Sequence, residues 1–254
     1  MIRFEHVTKR FGDKLVLDDV SCEIQAGETF VIVGLSGAGK SVSIRHMVRL
    51  LTPEQGRVWV GDDCISEATG RPLERILARF GVLFQGAALL QWLNVEDNVC
   101  LPLRQKTRLP DAEIRQRAAD MLRLVGLEGV GDRMPADISG GMRKRVGLAR
   151  AIVTQPEIIL YDEPTSGLDP MISRQIDLLI DDLRRRLGVT SVVVTHDLYS
   201  ALQIGSRVAM LHEGRFVVCA PPEEFIASPH PVVRNFLRAQ GIVTLQDVHQ
   251  AFAK

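Results

Sequence analysis

The sequence predicts an α/β fold: a largely parallel sheet covered by helices, with an antiparallel β subdomain beside it and a helical subdomain inserted into it. Three observations carry this expectation. Short, nearly all-apolar segments, Phe30 to Val33, Ile158 to Tyr161 and Val192 to Val194, each run into a polar or glycine-rich loop. Strands apolar on both faces belong to a parallel sheet buried under helices, and sites in such sheets collect where the strands end. The first thirty residues and Gly56 to Cys64 instead read as alternating strands with turns, which suits an antiparallel sheet. From about Gly86 to Pro156 strand signals vanish and helical spacing takes over.

Composition narrows the class. The 254 residues suit one large domain or two closely fused lobes. Lys plus Arg and Asp plus Glu both number 31, giving a net charge of zero and no basic excess of the kind a dedicated nucleic-acid binder carries. No apolar run approaches the roughly 20 residues of a membrane-spanning helix. The start, Met1 to Val7, alternates like a strand and lacks the apolar core of a secretory signal. Cys22, Cys64, Cys100 and Cys219 form no CxxC pair, so neither a disulfide framework nor a zinc site is expected, and the chain is read as cytosolic with inert thiols.

Along the chain, the first apolar strand ends in Gly34-Leu35-Ser36-Gly37-Ala38-Gly39-Lys40-Ser41, a match to G-x-x-x-x-G-K-[ST], followed by a helical segment, Val42 to Leu51. Glycines let backbone N–H groups close around phosphate oxygens, and the helix start adds partial positive charge. Lys40 neutralises the β and γ phosphates, and Ser41 ligates Mg²⁺. A helix over Asp111 to Val125 follows from Ile114, Ala118, Met121, Leu122 and Val125, with Asp111 as its expected N-cap. Ser139-Gly140-Gly141 opens the next helix: Ser139 is a good N-cap, and the two glycines let another molecule approach the backbone, a second phosphate-sized cradle. The second apolar strand ends in Asp162-Glu163, a pair suited to supporting Mg²⁺ and orienting or deprotonating an attacking water. The helix over Ile176, Leu179, Ile180, Leu183 and Leu187 turns Asp181, Asp182 and Arg184 to Arg186 to solvent.

Taken in this order, the motifs resemble those of the nucleotide-binding subunit of ATP-binding-cassette (ABC) transporters, over nearly the whole chain, 1–254. The resemblance implies a P-loop NTPase core with a helical subdomain at about 86–156 and a C-terminal extension at about 229–254. It makes Gly34 to Ser41 the Walker A loop, Gln85 the Q-loop glutamine contacting metal and water, and Ser139-Gly140-Gly141 the signature. Asp162-Glu163 then closes Walker B, Asp169 belongs to the D-loop Ser166-Gly167-Leu168-Asp169, and His196 is the switch histidine. Phe11, in Arg10-Phe11-Gly12, fits the aromatic that stacks on adenine. The cofactors implied are ATP and Mg²⁺. Two copies are expected to pair head to tail, with Ser139 to Gly141 of one covering the γ-phosphate held by Lys40 of the other.

Within the family, Ile138 and Met142 replace the flanking Leu and Gln of the common signature, and Met142 lacks the hydrogen-bonding amide. Ser-Gly-Gly-Met, together with Leu83 to Leu90, Asn94 to Val99 and Leu101-Pro102-Leu103, is similar to the MlaF-type ATPases of MCE-linked phospholipid transporters. That likeness implies an integral membrane permease, an MCE-domain protein and a STAS-domain subunit as partners. It puts the chain on the cytoplasmic face of the inner membrane, with a C-terminal extension, Pro231 to Leu237 and Val243 to Phe252, that reaches across the dimer or fits a partner. Ala87 to Trp92, just after the Q-loop, is expected to line the groove that receives the permease's coupling helix. Other cargo, such as an amino acid or a released lipoprotein, and an ABC ATPase acting on soluble partners stay open as alternatives.

Overall fold

The structure is a computed structural model and describes residues 1–242, 244, 246 and 247. Most of the stretch from Val243 to Phe252 lies outside the described residues.

The chain opens with β1 (Ile2–Phe11), β2 (Lys14–Ile24) and β3 (Thr29–Val33), then α1 (Lys40–Met47), β4 (Gln55–Val60), β5 (Asp63–Cys64), α2 (Gly70–Ala78) and β6 (Phe80–Leu83). Helices α3 (Val95–Lys106), α4 (Asp111–Leu124) and α5 (Gly140–Ile152) follow, the last after a 3₁₀ turn at Pro135–Asp137. The chain then returns through β7 (Ile158–Asp162), α6 (Pro170–Leu187), β8 (Thr190–Thr195), α7 (Leu198–Ile204), β9 (Arg207–His212) and β10 (Arg215–Ala220). It continues with α8 (Pro222–Ala227) and α9 (Pro231–Ala239).

The strands form two sheets, one ordered β2-β1-β4-β5 and wholly antiparallel, the other ordered β10-β9-β3-β8-β7-β6 and parallel except for the β9–β10 edge. Side-chain alternation in the larger sheet explains why its strands read as unbroken apolar runs. Val31 and Val33 of β3, Ile159 and Tyr161 of β7 and Val193 of β8 face a core shared with the helices. Phe30, Ile32, Ile158, Leu160, Val192 and Val194 face a second core against the antiparallel sheet. Both faces are dry, so the polar–apolar alternation of a half-wet strand disappears.

Two element boundaries differ from the sequence reading, and α6 buries a charge that reading did not mark. Helix α1 is shorter than Val42 to Leu51 and ends at Met47, where Arg49 turns into the left-handed region at φ 58°. Asp111 is the first helical residue of α4 rather than its N-cap; Pro110 holds the cap position, and the Asp111 carboxylate accepts from Arg104 and Arg115 instead. On α6 the expected outward charges pair along the helix, Arg186 with Asp182 and Arg184 with Asp181, but Asp177 lies beside them fully buried.

Candidate active site

The register of the central strands brings distant segments to one edge. Val33 of β3 pairs with Thr195 of β8, and Asp162 of β7 pairs with Val194. The residues that follow, Gly34, His196 and Glu163, therefore leave three adjacent strands side by side, at the carboxyl ends where open α/β sheets bind ligands.

Walker A wraps from β3 into α1. Gly34 must lack a side chain, since a Cβ there would lie 2.4 Å from the Leu211 carbonyl oxygen. Gly39 occupies the N-cap of α1 at φ 102°, with no side-chain cap and no acidic residue in the first turn. The first N–H groups of α1 are thus left for an outside anion. Lys40 lies 7% exposed, its Nζ donating to the Gly34 carbonyl at 2.9 Å and sitting 3.8 Å from Glu163 Oε1. Burial lowers its pKa from the ordinary lysine value, against the opposing pull of Glu163 and Asp162. Ser41 Oγ donates to Asp162 Oδ1 at 2.7 Å, which puts two hard oxygens together. Hard oxygen donors beside an uncapped helix start and a buried ammonium suit Mg²⁺ and a polyphosphate.

Glu163 takes a left-handed backbone at φ 50°, rare for a residue with a Cβ, while its N–H donates to the Val194 carbonyl. Its carboxylate lies between Lys40 and His196, whose Nδ1 is 2.8 Å from Glu163 Oε2. Gln85 follows β6; its amide donates to Ser166 Oγ at 3.3 Å, so in this conformation it is held by the D-loop rather than by the Ser41–Asp162 pair. Phe11, at the end of β1, is 47% exposed beneath Lys9. It shares a cleft of about 340 Å³ with Gly37, Gly39, Lys40 and Ser41.

Ser139 caps α5 by accepting from the Met142 N–H at 3.3 Å, but the signature glycines also have an internal reason. A Cβ on Gly141 would lie 2.6 Å from Ile172 of α6, and one on Gly140 would lie 3.3 Å from Leu168. Close packing within this chain therefore favours glycine at 141, while at 140 the Leu168 side chain need give only slightly to admit a Cβ. Asp169 caps α6, its Oδ1 accepting from the N–H groups of Met171 and Ile172, both at 3.0 Å. Ser139 and Gly141 line a separate cleft of about 340 Å³ that shares no lining residue with the one around Lys40.

Three residues were not singled out from sequence. Lys144 of α5, 5% exposed, donates to the carbonyls of both Gln85 and Glu163, the latter at 2.9 Å, and burial pushes its pKa down to about 8. Arg150, further along α5, donates to the carbonyls of Ala87 and Ala88 and pins two left-handed alanines. Gln240 binds the segment around His196. Lys144 lies between Arg143 and Arg145 just after the signature glycines and Arg150 lies further along the helix, and the partners of both are main-chain carbonyls without a sequence signature.

A P-loop that joins a buried lysine, a Ser–Asp pair and a strand-end glutamate defines a nucleoside-triphosphate-hydrolysing cassette. The chain belongs to the ABC transporter family, whose match spans residues 17–166, and it is an ATP-binding, ATP-hydrolysing subunit with ATP and Mg²⁺ as cofactors. A probable ribonucleotide transport ATP-binding protein, mkl, of Mycobacterium leprae is 42% identical over 95% of this chain and 70% of its own length. A methionine import ATP-binding protein, MetN, of Cereibacter sphaeroides is 39% identical over 96% and 70%. Among solved structures, the dimeric cassette MJ0796 in a post-hydrolysis state bound to ADP and Pi superposes with a TM-score of 0.80 at 33% identity, covering 87% of this chain and 99% of that one. The cbiO1 subunit of the Clostridium perfringens cbiONQ transporter complex gives 0.81 at 26% identity, covering 98% and 97%.

Proposed function

We propose that this chain powers a membrane transporter for phospholipid, of the MCE-linked type, by hydrolysing ATP between two head-to-tail copies. The observation that carries the hydrolytic part is the convergence of Lys40, Ser41, Asp162, Glu163 and His196 on neighbouring strand ends. Lys40 and the start of α1 bind the phosphates, and Phe11 stacks on the base. Ser41 and Asp162 would hold Mg²⁺, with Gln85 joining them on leaving Ser166, and the ion would supply positive charge toward the phosphates. Glu163 orients the water and accepts its proton, and His196 keeps the carboxylate aimed and faces the γ-phosphate. Asp169 sets the D-loop that receives Gln85. The Ser139-Gly140-Gly141 cradle lies in a different cleft from Lys40, which supports its use by the second copy rather than by its own.

The lipid assignment is supported by the Ser-Gly-Gly-Met signature and by the stretch from Leu83 to Leu103. Import of another solute is the second reading, favoured by the likeness to a methionine import subunit. Among the described residues no helix is long and apolar enough to cross a membrane, which fits peripheral attachment through a permease on the cytoplasmic face. An apolar cleft of about 380 Å³, lined by Leu50, Leu77, Phe80, Phe84, Leu101 and Pro102 among others, suits a permease's coupling helix. Of the expected lining, Ala87 to Trp92, Ala87 and Leu89 are buried and Trp92 is 74% exposed, and Arg150, which lines the cleft, binds that loop's backbone. Affinity capture of the tagged chain from detergent-solubilised native membranes tests the reading. A multi-spanning permease with an MCE-domain protein, and a STAS-domain subunit beside them, is the expected recovery. A permease with a solute-binding protein replaces the lipid assignment, and soluble partners alone overturn the transporter.

A further inference from the structure

We propose that Gln240, outside the stretch matched to the family, is a positioning residue for hydrolysis: its amide clamps the backbone around His196 and thereby fixes where the imidazole meets Glu163. The proposal rests on the roles given above to His196 and Glu163.

The clamp has a rigid base. Gln240 is the C-cap of α9, and Gly241 behind it turns left-handed at φ 70°. The Gly241 N–H donates to the Arg238 carbonyl and the Ile242 N–H to the Leu237 carbonyl, both at 3.1 Å, the paired bonds of a Schellman ending. Leu237 and Ile242, each 2% exposed, anchor that ending in the same core as Leu198 and Leu202 of α7. The backbone that presents the Gln240 side chain is therefore fixed on both sides.

From that base Gln240 makes three contacts with one short segment. Its Nε2 donates to the His196 carbonyl at 3.0 Å, and its Oε1 accepts from the Leu198 N–H at 3.0 Å. Its main-chain oxygen accepts from Tyr199 Oη at 3.2 Å. Reading an acceptor and a donor two residues apart requires one group that both donates and accepts, which an amide provides and a carboxylate or alkyl chain does not. His196 needs such support because its side chain is 62% exposed and burial does not hold it. Its Nδ1 reaches Glu163 only if the backbone carries it to the right place. On the strand side, Thr195 Oγ1 accepts from the Asp197 N–H at 3.0 Å, so the segment is gripped from β8 and from α9 together.

Steady-state MgATP hydrolysis by the full chain, with nucleotide affinity and melting temperature, tests this on Gln240→Leu, Gln240→Glu, His196→Ala and the His196→Ala/Gln240→Leu double variant. Gln240→Leu is expected to lower kcat about tenfold with KM for ATP within about twofold of wild type, the signature of a misplaced group rather than lost binding. Gln240→Glu keeps the size but turns a second carboxylate oxygen on the His196 carbonyl, and it loses at least as much. The double variant runs no slower than His196→Ala alone, because the two act through one group. A slow His196→Ala beside a Gln240→Leu of wild-type kcat overturns the clamp and leaves the site reading standing. So does a Gln240→Glu of wild-type kcat, which would mark a packing role, or full additivity in the double variant. A His196→Ala of wild-type kcat overturns both readings.

Discussion

At the scale of single residues, the site depends on donors that carry no motif. One ammonium, that of Lys144, serves the carbonyls of Gln85 and Glu163, residues that belong to two different loops. Removing a buried donor leaves each acceptor short of a partner, at a cost of about 1–3 kcal/mol per group. Lys144→Met is therefore expected to lower kcat by about tenfold or more while the Lys40 cleft keeps its affinity for nucleotide, a difference that ATPase assays beside fluorescent-nucleotide titration will read. Lys144→Arg keeps a charge but not a compact head that can point at two carbonyls, so only partial recovery is expected. On the role proposed for Glu163, Glu163→Gln alters the group that meets the water. Losing its base lowers turnover by about a hundredfold or more, and equilibrium binding is expected to show ATP still bound.

At the scale of elements, the junction of α6 and α7 carries a pH-dependent cost. Asp177 Oδ1 accepts from Ser200 Oγ at 2.6 Å, and burial, with a smaller contribution from Asp197, pushes the Asp177 pKa up to about 7. Between the ordinary 3.8 and about 7 the native chain holds a proton that the unfolded chain has released, so stability falls as pH rises through that window. Asp177→Asn keeps the acceptor and removes the charge. Its melting temperature is expected to exceed wild type at pH 8, by the equivalent of about 2 kcal/mol, with the gap closing toward pH 4. Equal melting temperatures at pH 8 would count against a buried charge there. Asp177 also marks where sequence reading stops: one step from Ile176 on the helix, it falls at the edge of the apolar stripe, and periodicity does not say which edge residues the neighbouring helix covers. The parallel strands were legible because both faces are dry, and the P-loop and Asp162-Glu163 because each sits within a few residues of a strand end. The bonds of Lys144 to Gln85 and of Gln240 to His196 span 59 and 44 positions and end on backbone carbonyls, which any residue type supplies. The same limit applies to Ala87 and Leu89, which are buried in a loop whose Ala87 and Ala88 carbonyls accept from Arg150.

At the scale of the whole molecule, the proposed head-to-tail pairing, with the Lys40 and Ser139 clefts separate in one chain, would make assembly part of catalysis. Glu163→Gln in MgATP is expected to accumulate as a dimer and to revert to monomer when nucleotide is removed, a change light scattering after gel filtration will show. A variant that stays monomeric in MgATP would overturn the head-to-tail arrangement. The order of the larger sheet has another consequence. β3, which launches the phosphate-binding loop, is flanked only by β8 and β9, so at least 156 residues after Val33 must be made before the start of β8 can reach it. Until then both edges of a strand that is apolar from Phe30 to Val33 are open on the ribosome, the state that invites mispairing and slow closure. A chain that stops short of β8 leaves β3 unpaired and Glu163 without the Val194 carbonyl that holds its backbone, so nucleotide turnover is expected only from chains made past β8.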